Sequence, residues 1–256
     1  MRTPAALLLT AVAGLTGCAA NSTESPVSPA AEELRVQVLE TLPHDPGSFT
    51  QGLELDGGTL YEGTGLVGKS RLLAGPPGQA PVTQIPLPSP LFGEGITTTA
   101  DSVWQLTWQN GVAIEYDKAT LTERRRVPYT GEGWGICQQD SGRLVMSDGS
   151  GKLTFRDPVT FAETGSVSVA RDKLNELECV GDSVYANVWQ TDEILRIGPD
   201  GAITGRVDAS GLLSAQERGS ADVLNGVAAV PGTDEFLLTG KLWPKMFRVK
   251  FVPATP

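Results

Sequence analysis

Five copies of one sequence unit limit the folds open to this chain more than any other feature. Each copy begins with a polar, acidic or aromatic residue that precedes an apolar run, as in FTQGLEL, FGEGITT, GEGWGIC, LNELECV and LNGVAAV. Aligned on Gln51, Glu94, Trp134, Asn175 and Asn225, the copies are spaced by 43, 40, 41 and 50 residues. Regular periods of this length are typical of arrays in which neighbouring units bury one another's apolar faces.

The pattern inside each copy predicts β-strands. Short apolar and β-branched runs alternate with turn residues, and the chain contains 30 Gly and 18 Pro. The first four copies each hold four such runs and the fifth holds three, while residues 34–42 offer a spare strand. The sequence therefore predicts an all-β fold, a five-bladed β-propeller with four antiparallel strands per blade, whose last blade is closed by the N-terminal strand. The longer stretch GLLSAQERGSAD predicts a loop with one helical turn.

The first residues have the pattern of an export signal. Arg2 precedes an apolar stretch, residues 5–15, which is too short to span a bilayer. The sequence LTGC at residues 15–18 resembles a bacterial lipobox. We therefore predict a signal peptide over 1–17, a lipid-modified Cys18, a flexible tether over 18–33 and one catalytic domain over 34–252. The protein would be exported and anchored to a bacterial membrane, and an ordinary signal cleaved nearby is the alternative.

Composition excludes several classes of function. The net charge of -10 without a basic stripe argues against a nucleic-acid partner. The single histidine, His44, lies in the turn-like LPHDPGSF, which predicts a loop. A zinc site with several histidines is impossible, and a Ser-His-Asp triad would depend on this one residue. Cys137 and Cys179 could form a disulfide in an oxidising compartment, or stay as two buried thiols.

The repeat alignment also predicts where polar residues meet. If first strands run along a common axis, their starting residues converge at one mouth, where the antiparallel second strands end. A Trp-lined mouth would desolvate Glu94 and raise its pKa towards the range of an acid–base catalyst. We expect Gly93 and Gly95 to let the backbone and a substrate approach closely. Two circles of residues are predicted around this mouth. The starts of the first strands supply Gln51, Glu94, Trp134, Asn175 and Asn225, and the ends of the second strands supply Thr64, Trp108, Asp148, Trp189 and Lys241.

Other conspicuous residues are expected to serve the structure. Asn175 and Asn225 could do no more than cap backbone N–H groups, and Trp243 could be core or site. We expect Trp104 to be buried and Asp148 to lie in a turn. We also expect Glu176 and Glu178 to join a hydrogen-bond network and residues 123–126 to form an exposed outer strand.

Nine ordered motifs resemble the glutamine cyclotransferases of plants and bacteria. They are FTQGL, FGEGIT, QLTW, YTGEGWG, SDGS, LNELE, NVWQTDEI, VLNGVA and TGKLWP, and they extend from about residue 42 to residue 251. The resemblance implies a five-bladed propeller that converts the N-terminal glutamine of peptides or proteins to pyroglutamate and releases ammonia. It also implies that no cofactor is required, and it leaves a structural divalent ion in the channel open.

The resemblance further implies roles for individual residues. Glu94 would be the proton shuttle, with Lys241 and Asn175 as polar catalytic groups that set its charge or stabilise an oxyanion. Gly63 and Val67 stand where the family usually has serine and tyrosine, so the resemblance does not define the first-blade wall of the pocket, whereas the implied chemistry is unaffected. The substrate pocket would be lined by Phe49, Gln51, Phe92, Trp108, Trp134 and Trp189.

Two other functions compete with this one. A lipid-anchored propeller can be a binding or scaffold module without catalysis. A metal-dependent propeller lactonase or hydrolase would need carboxylate and amide ligands, for which Glu94, Asn175 and Asn225 are candidates. For the cyclotransferase we expect a monomer that acts on peptides or proteins with N-terminal Gln, with little specificity for later residues.

Overall fold

The computed structural model describes residues 30–254, and β-strands dominate this part of the chain. The all-β class and the four-stranded antiparallel sheets predicted from the sequence are confirmed. After the N-terminal strand β1 (Glu32–Pro43), three four-stranded sheets follow in chain order. They contain β2 (Thr50–Asp56), β3 (Thr59–Thr64), β4 (Arg71–Gly75) and β5 (Thr83–Pro86); β6 (Gly93–Thr98), β7 (Ser102–Thr107), β8 (Val112–Asp117) and β9 (Glu123–Pro128); β10 (Ile136–Gln138), β11 (Leu144–Ser147), β12 (Lys152–Arg156) and β13 (Glu163–Ser168).

The remaining strands form one eight-stranded sheet made of two groups. The fourth group contains β14 (Leu174–Val180), β15 (Ser183–Val188), β16 (Glu193–Ile197) and β17 (Ile203–Asp208). The fifth contains β18 (Leu224–Ala229), β19 (Glu235–Gly240) and β20 (Lys245–Pro253), and β1 pairs with β20 in antiparallel register. The start of β1 also pairs with β17 in parallel, which joins the two groups.

The long insertion before β18 contains the one helical turn that the sequence predicted, α1 (Ala215–Arg218). A capping box holds its start, because the Ser214 side chain accepts from the Glu217 amide and the Glu217 carboxylate accepts from the Ser214 amide. Within residues 30–254, no helix is long and apolar enough to cross a membrane. Cys18 and the predicted signal peptide lie outside the described residues and stay predictions, which the mass of the membrane-extracted protein would test.

The first strands of successive groups lie side by side, and β18 also contacts β2. The amide of Gly95 in β6 donates to the carbonyl of Trp134, just before β10, at 2.8 Å. A Cβ atom on Gly95 would lie 2.6 Å from that carbonyl oxygen, and one on Gly93 would lie 2.6 Å from the carbonyl of Thr64. These glycines therefore admit neighbouring protein backbone, as predicted, and the close approach of a substrate stays a prediction.

Apolar side chains fill the space between consecutive groups of strands. Five buried clusters are present, each drawing on two groups that follow one another, and one of them lies between the fifth group and the first. Trp104 is fully buried between the second and third groups, as predicted. Trp243, which the sequence left undecided, is buried in the cluster of the fourth and fifth groups.

Polar residues away from the mouth have structural partners. The Glu176 carboxylate, on β14, accepts from the amides of Leu53 on β2 at 3.2 Å and Val227 on β18 at 2.9 Å. His44 lies in a loop, as predicted, and is also buried, with one ring nitrogen 2.7 Å from the Trp243 carbonyl oxygen. The predicted turn at Asp148 and the exposed outer strand β9 are both present.

Cys137 and Cys179 form a disulfide, which decides between the two alternatives that the sequence left open. Their Cα atoms are 5.4 Å apart, and the residues are separated by 42 positions in the chain. The bond joins β10 to β14, the first strands of the third and fourth groups. In the chain-entropy account, a crosslink over a loop of this length stabilises the folded state by about 4 kcal/mol.

Removing this crosslink should therefore destabilise the protein without changing its fold. For the double variant Cys137→Ala/Cys179→Ala, we expect the free energy of unfolding to fall by about 2–4 kcal/mol. Denaturant titration of the oxidised wild type, the reduced wild type and the variant measures this difference. The reduced wild type is the control and should resemble the variant, whereas identical midpoints for all three would contradict the crosslink.

Candidate active site

A cavity of about 410 Å³ opens at the face where first strands begin and second strands end. All nine residues that the sequence singled out as catalytic or substrate-binding line it. The structure does not bring all ten members of the two predicted circles to the cavity: Asn225, Thr64 and Asp148 do not line it. Three residues that the sequence did not single out complete its wall, namely Gln190, Asp222 and Val223.

Glu94 is the second residue of β6, and its side chain is 4% exposed. Burial raises the pKa of Glu94 well above its usual value; the nearby charge of Lys241 lowers it in part, and that of Glu132 raises it further. Among the described residues, the hydrogen bond to its carboxylate comes from Gln51 Nε2, at 3.0 Å from Oε1. No residue between 30 and 254 donates to the Oε2 atom.

A buried amide relay holds the Glu94 carboxylate in place. Asn225 Nδ2 donates to the Gln51 side-chain oxygen at 3.3 Å and to the Thr50 carbonyl at 3.0 Å. Because Gln51 accepts through its oxygen, its Nε2 group faces Glu94 as a donor. Asn225 therefore contacts Gln51, one layer behind the cavity, and does not line the cavity itself.

Lys241 follows directly after β19 and is also buried. Its Nζ atom lies 4.9 Å from the centre of the Phe49 ring, within range of a cation–π interaction. Burial lowers the pKa of Lys241, while the charges of Glu94 and Asp222 oppose this shift. The site therefore holds one acid and one base, each with a pKa that burial moves towards neutrality.

Asn175, the second residue of β14, has a side-chain amide that is not committed to the protein. Its Oδ1 atom is buried without a hydrogen-bond partner in the described part of the chain. A buried amide oxygen that lacks a partner costs free energy unless a ligand or water satisfies it. Since Asn175 lines the cavity, a bound molecule is the natural partner of this amide.

Aromatic rings form most of the remaining wall. Phe49 packs edge-on against Phe92, with ring centres 6.3 Å apart, and Phe92 packs against Trp108 at 5.6 Å. Trp134 and Trp189 meet at 5.5 Å in a perpendicular arrangement. Such a wall contacts methylene groups and keeps water away from the polar groups at the base.

Glu132 organises this wall, and the sequence analysis missed it. Its Oε2 atom accepts from the indole nitrogens of Trp108 at 2.7 Å and Trp134 at 2.9 Å, and its Oε1 accepts from Gln109 at 2.8 Å. Burial alone would raise the pKa of Glu132, but the three hydrogen bonds together have the larger effect, so the pKa is lowered overall. The available signal was the motif YTGEGWG, in which Glu132 stands between two glycines as Glu94 does in FGEGIT. In the structure Gly131 adopts a left-handed φ of 89°, which turns the chain there.

Three residues other than glycine in left-handed conformations flank the site. Lys173 precedes β14, Gln190 follows Trp189, and Leu242 follows Lys241, with φ values of 67°, 65° and 59°. Such conformations are unfavourable for residues with a side chain, and they persist where the surrounding structure holds them. The backbone around Asn175, Trp189 and Lys241 is thus held in costly turns that direct these side chains into the cavity.

The two departures from the family pattern do not lie in the cavity wall. A Cβ atom on Gly63 would be 2.6 Å from the Glu94 carbonyl oxygen, so Gly63 packs behind the strand that carries Glu94. Val67 is exposed, and neither residue lines the cavity. The two departures therefore change no residue that lines the cavity. Within residues 30–254, no group of three or more His, Cys, Asp or Glu side chains could hold a metal ion.

A buried carboxyl group, a buried amine and an uncommitted amide inside an aromatic cavity are groups that acid–base enzymes use. Comparison with known proteins shows the family to which the chain belongs. The sequence profile of the family described as glutamine cyclotransferase matches residues 8–251. The chain belongs to this family.

Individual relatives agree with this assignment. The glutaminyl-peptide cyclotransferase of Arabidopsis thaliana is 37% identical over 234 residues, which cover 86% of this chain and 72% of the relative. The crystal structure of Myxococcus xanthus glutaminyl cyclase superposes with a TM-score of 0.80 at 34% identity, over 88% of this chain and 100% of that chain. Hydrazine synthase of Kuenenia stuttgartiensis has a TM-score of 0.50 at 13% identity, over 77% and 56% of the two chains, a likeness of fold alone.

The role of Glu132 in holding the two indoles can be tested by substitution. In Glu132→Ala we expect Trp108 and Trp134 to lose their common acceptor, with a weaker near-ultraviolet circular dichroism signal and about 1–2 kcal/mol less stability. Gln109→Ala is the matched control, because it removes the third donor and leaves both indole bonds. A Glu132→Ala spectrum identical to the wild-type spectrum would show that the rings are held by packing alone.

Proposed function

We propose that this protein cyclises the N-terminal glutamine of peptides or proteins to pyroglutamate and releases ammonia. The observation that carries the proposal is the placement of Glu94. Its carboxyl group is buried at the base of an aromatic cavity, and among the described residues one of its oxygens has no hydrogen-bond partner. A buried lysine and an amide that is likewise uncommitted in this part of the chain share the cavity. The family and the two cyclotransferase relatives support this substrate class.

We infer that the five strand groups close into a five-bladed propeller around the cavity axis, with β1 completing the last blade. The apolar cluster between the fifth and first groups supports closure, as do the contacts of β18 with β2. The Glu176 carboxylate supports it further, because its two hydrogen bonds reach β2 and β18. An experimental structure with a gap between β18 and β2 would contradict this inference.

The reaction needs one proton to move from the attacking nitrogen to the leaving nitrogen. The substrate's neutral α-amine attacks the carbon of its own side-chain amide, a C–N bond forms, and the carbonyl oxygen gains a negative charge. Ionised Glu94 then takes a proton from the attacking nitrogen and gives it to the amide nitrogen. The oxyanion collapses, the old C–N bond breaks, and ammonia leaves with Glu94 ionised again.

Lys241 and Asn175 would supply the electrostatic part of this mechanism. The Lys241 charge favours the ionised form of Glu94, which is the form that can accept the proton. The Nδ2 group of Asn175 can donate to the oxyanion, an interaction that is typically worth a few kcal/mol in the transition state, while its Oδ1 atom, unpartnered within the described residues, can accept from the substrate's α-amine. Assigning the oxyanion to Asn175 leaves Lys241 to control the charge of Glu94.

The aromatic wall would supply the geometry. Cyclisation is intramolecular, so the protein mainly has to fold the glutamine until its two ends meet. Rings on several sides of the cavity restrict its methylene groups and exclude the water that would otherwise solvate the amine. Only the first residue of the substrate has to enter, which fits a cavity of this size.

The shuttle role of Glu94 predicts loss of activity in Glu94→Gln. We expect kcat to fall at least 100-fold, the lower range for a missing acid–base group, because the amide cannot exchange protons. Ammonia release and loss of the free amine from a Gln-initiated peptide measure this, with melting curves as the control for folding. The wild type should keep its activity in EDTA, and sensitivity to EDTA would favour the metal-dependent hydrolase.

The charge role of Lys241 predicts a change in pH dependence. Activity should rise with pH through the raised pKa of Glu94, since only its ionised form accepts the proton. Lys241→Met removes a charge that lowers this pKa, so the acid limb of kcat should move to higher pH. Glu132→Gln removes a charge that raises the pKa of Glu94, so its limb should move to lower pH. Reduced kcat with an unmoved limb in Lys241→Met would instead assign Lys241 to the oxyanion.

A further inference from the structure

A second cavity, of about 370 Å³, lies beside the active site. The two cavities share three lining residues, Gln190, Asp222 and Val223, which therefore form a ridge between them. A peptide whose first residue fills the active site has to leave over its rim. Successive residues of an extended chain are about 3.5 Å apart, so the second residue of a substrate that crosses this ridge would reach the second cavity.

The second cavity has an apolar floor and polar walls. Leu213, Leu224 and Trp243 lie at its base, and because each is almost fully buried they form a narrow apolar floor. On one wall, Arg218 of α1 pairs with Asp192 at 3.2 Å, so these two charges largely compensate each other. Such a site suits a side chain with an aliphatic stem and a polar end.

Asp222 is a fixed carboxylate on the ridge. Its amide donates to the Lys241 carbonyl at 2.8 Å, and its own carbonyl accepts from the Trp243 indole at 2.9 Å. Its side chain is exposed and makes no ion pair with any residue between 30 and 254; it accepts only from the Val223 amide, at 2.7 Å. The backbone is thus held firmly while the charge stays available.

Two cations lie near the ridge, and within the described residues neither forms an ion pair with Asp222, although its charge partly offsets the burial that lowers the pKa of Lys241. Lys241 is buried among the groups of the active site, and Lys173 donates to Gln190 Oε1 at 3.1 Å while lying 5.6 Å from the centre of the Trp189 ring. Asp222 is therefore the group on the ridge that is placed to meet a cation from outside.

We propose that the second cavity binds the side chain of the second substrate residue and favours lysine or arginine there. The aliphatic stem lies on the apolar floor and the cationic end pairs with Asp222. This inference rests on the proposed cyclotransferase function, and it replaces the expectation that later substrate residues are not distinguished.

Three peptides that differ only at the second residue test this preference. They carry lysine, its uncharged analogue norleucine, or glutamate after the N-terminal glutamine. We expect kcat/KM to be about two- to five-fold higher for lysine than for norleucine at low salt, the range of an exposed ion pair, and lowest for glutamate. The preference should shrink in high salt because exposed charges are screened.

Substitution of the carboxylate then assigns the preference to its source. In Asp222→Asn the ratio of lysine to norleucine should fall to about one, and any general effect on Lys241 cancels in this ratio. Asp140→Asn is the matched control, since it removes the same charge from the turn between β10 and β11, at the face away from the cavity, and should keep the ratio. A ratio that survives in Asp222→Asn would overturn the assignment.

Binding to Glu94→Gln, followed by tryptophan fluorescence, separates this inference from the proposed function. Tighter binding of the lysine peptide than of the norleucine peptide would support the second cavity even without turnover. Equal affinities, or cyclisation of all three peptides with equal efficiency, would overturn it. Failure of the wild type to cyclise any of them would count against the proposed function instead.

Discussion

The close backbone approach of neighbouring first strands is the constraint on which the rest of the structure depends. A Cβ atom on Gly52 would lie 2.3 Å from the Ile96 amide, and one on Gly135 would lie 2.2 Å from the Asn175 carbonyl. Gly95 makes the equivalent contact and adds a hydrogen bond to the next strand. Since no side chain separates these strands, the residues at their starts are brought together. The cavity is a consequence of this packing.

Dense packing also explains the electrostatics of the site. Glu94 and Lys241 lie where water is scarce, so burial raises the pKa of the acid and lowers the pKa of the base. Buried ionisable groups are costly unless neighbours compensate them. Here Gln51 supplies a hydrogen bond to Glu94, and the two charges favour each other. Burial destabilises the folded protein at these positions, and the same burial would make the carboxyl group a useful proton carrier.

Residues at repeat-equivalent positions could be placed from the sequence, because strand order and antiparallel pairing determine where they lie. Glu94, Asn175 and Lys241 are of this kind, and they share one cavity. Glu132 and Asp222 could not be placed in this way, since each lies in a loop whose path depends on local turns and on neighbouring groups. The repeat pattern also suggested that Asn225 reaches the cavity, whereas the side chain stops one layer behind it, at Gln51.

The sequence by itself determined the all-β class, the four-stranded units and seven of the ten residues that were predicted to meet at one mouth, and its motifs carried the resemblance to the family. The class, the units and the placement of these residues follow from period and alternation, which survive without knowledge of distances. Only the tertiary structure decided that Cys137 and Cys179 are bonded, that one carboxylate holds two cage tryptophans, and that a second cavity adjoins the first. Each of these depends on contacts between residues from different loops or strand groups, and such contacts arise from packing in three dimensions, which no local pattern encodes.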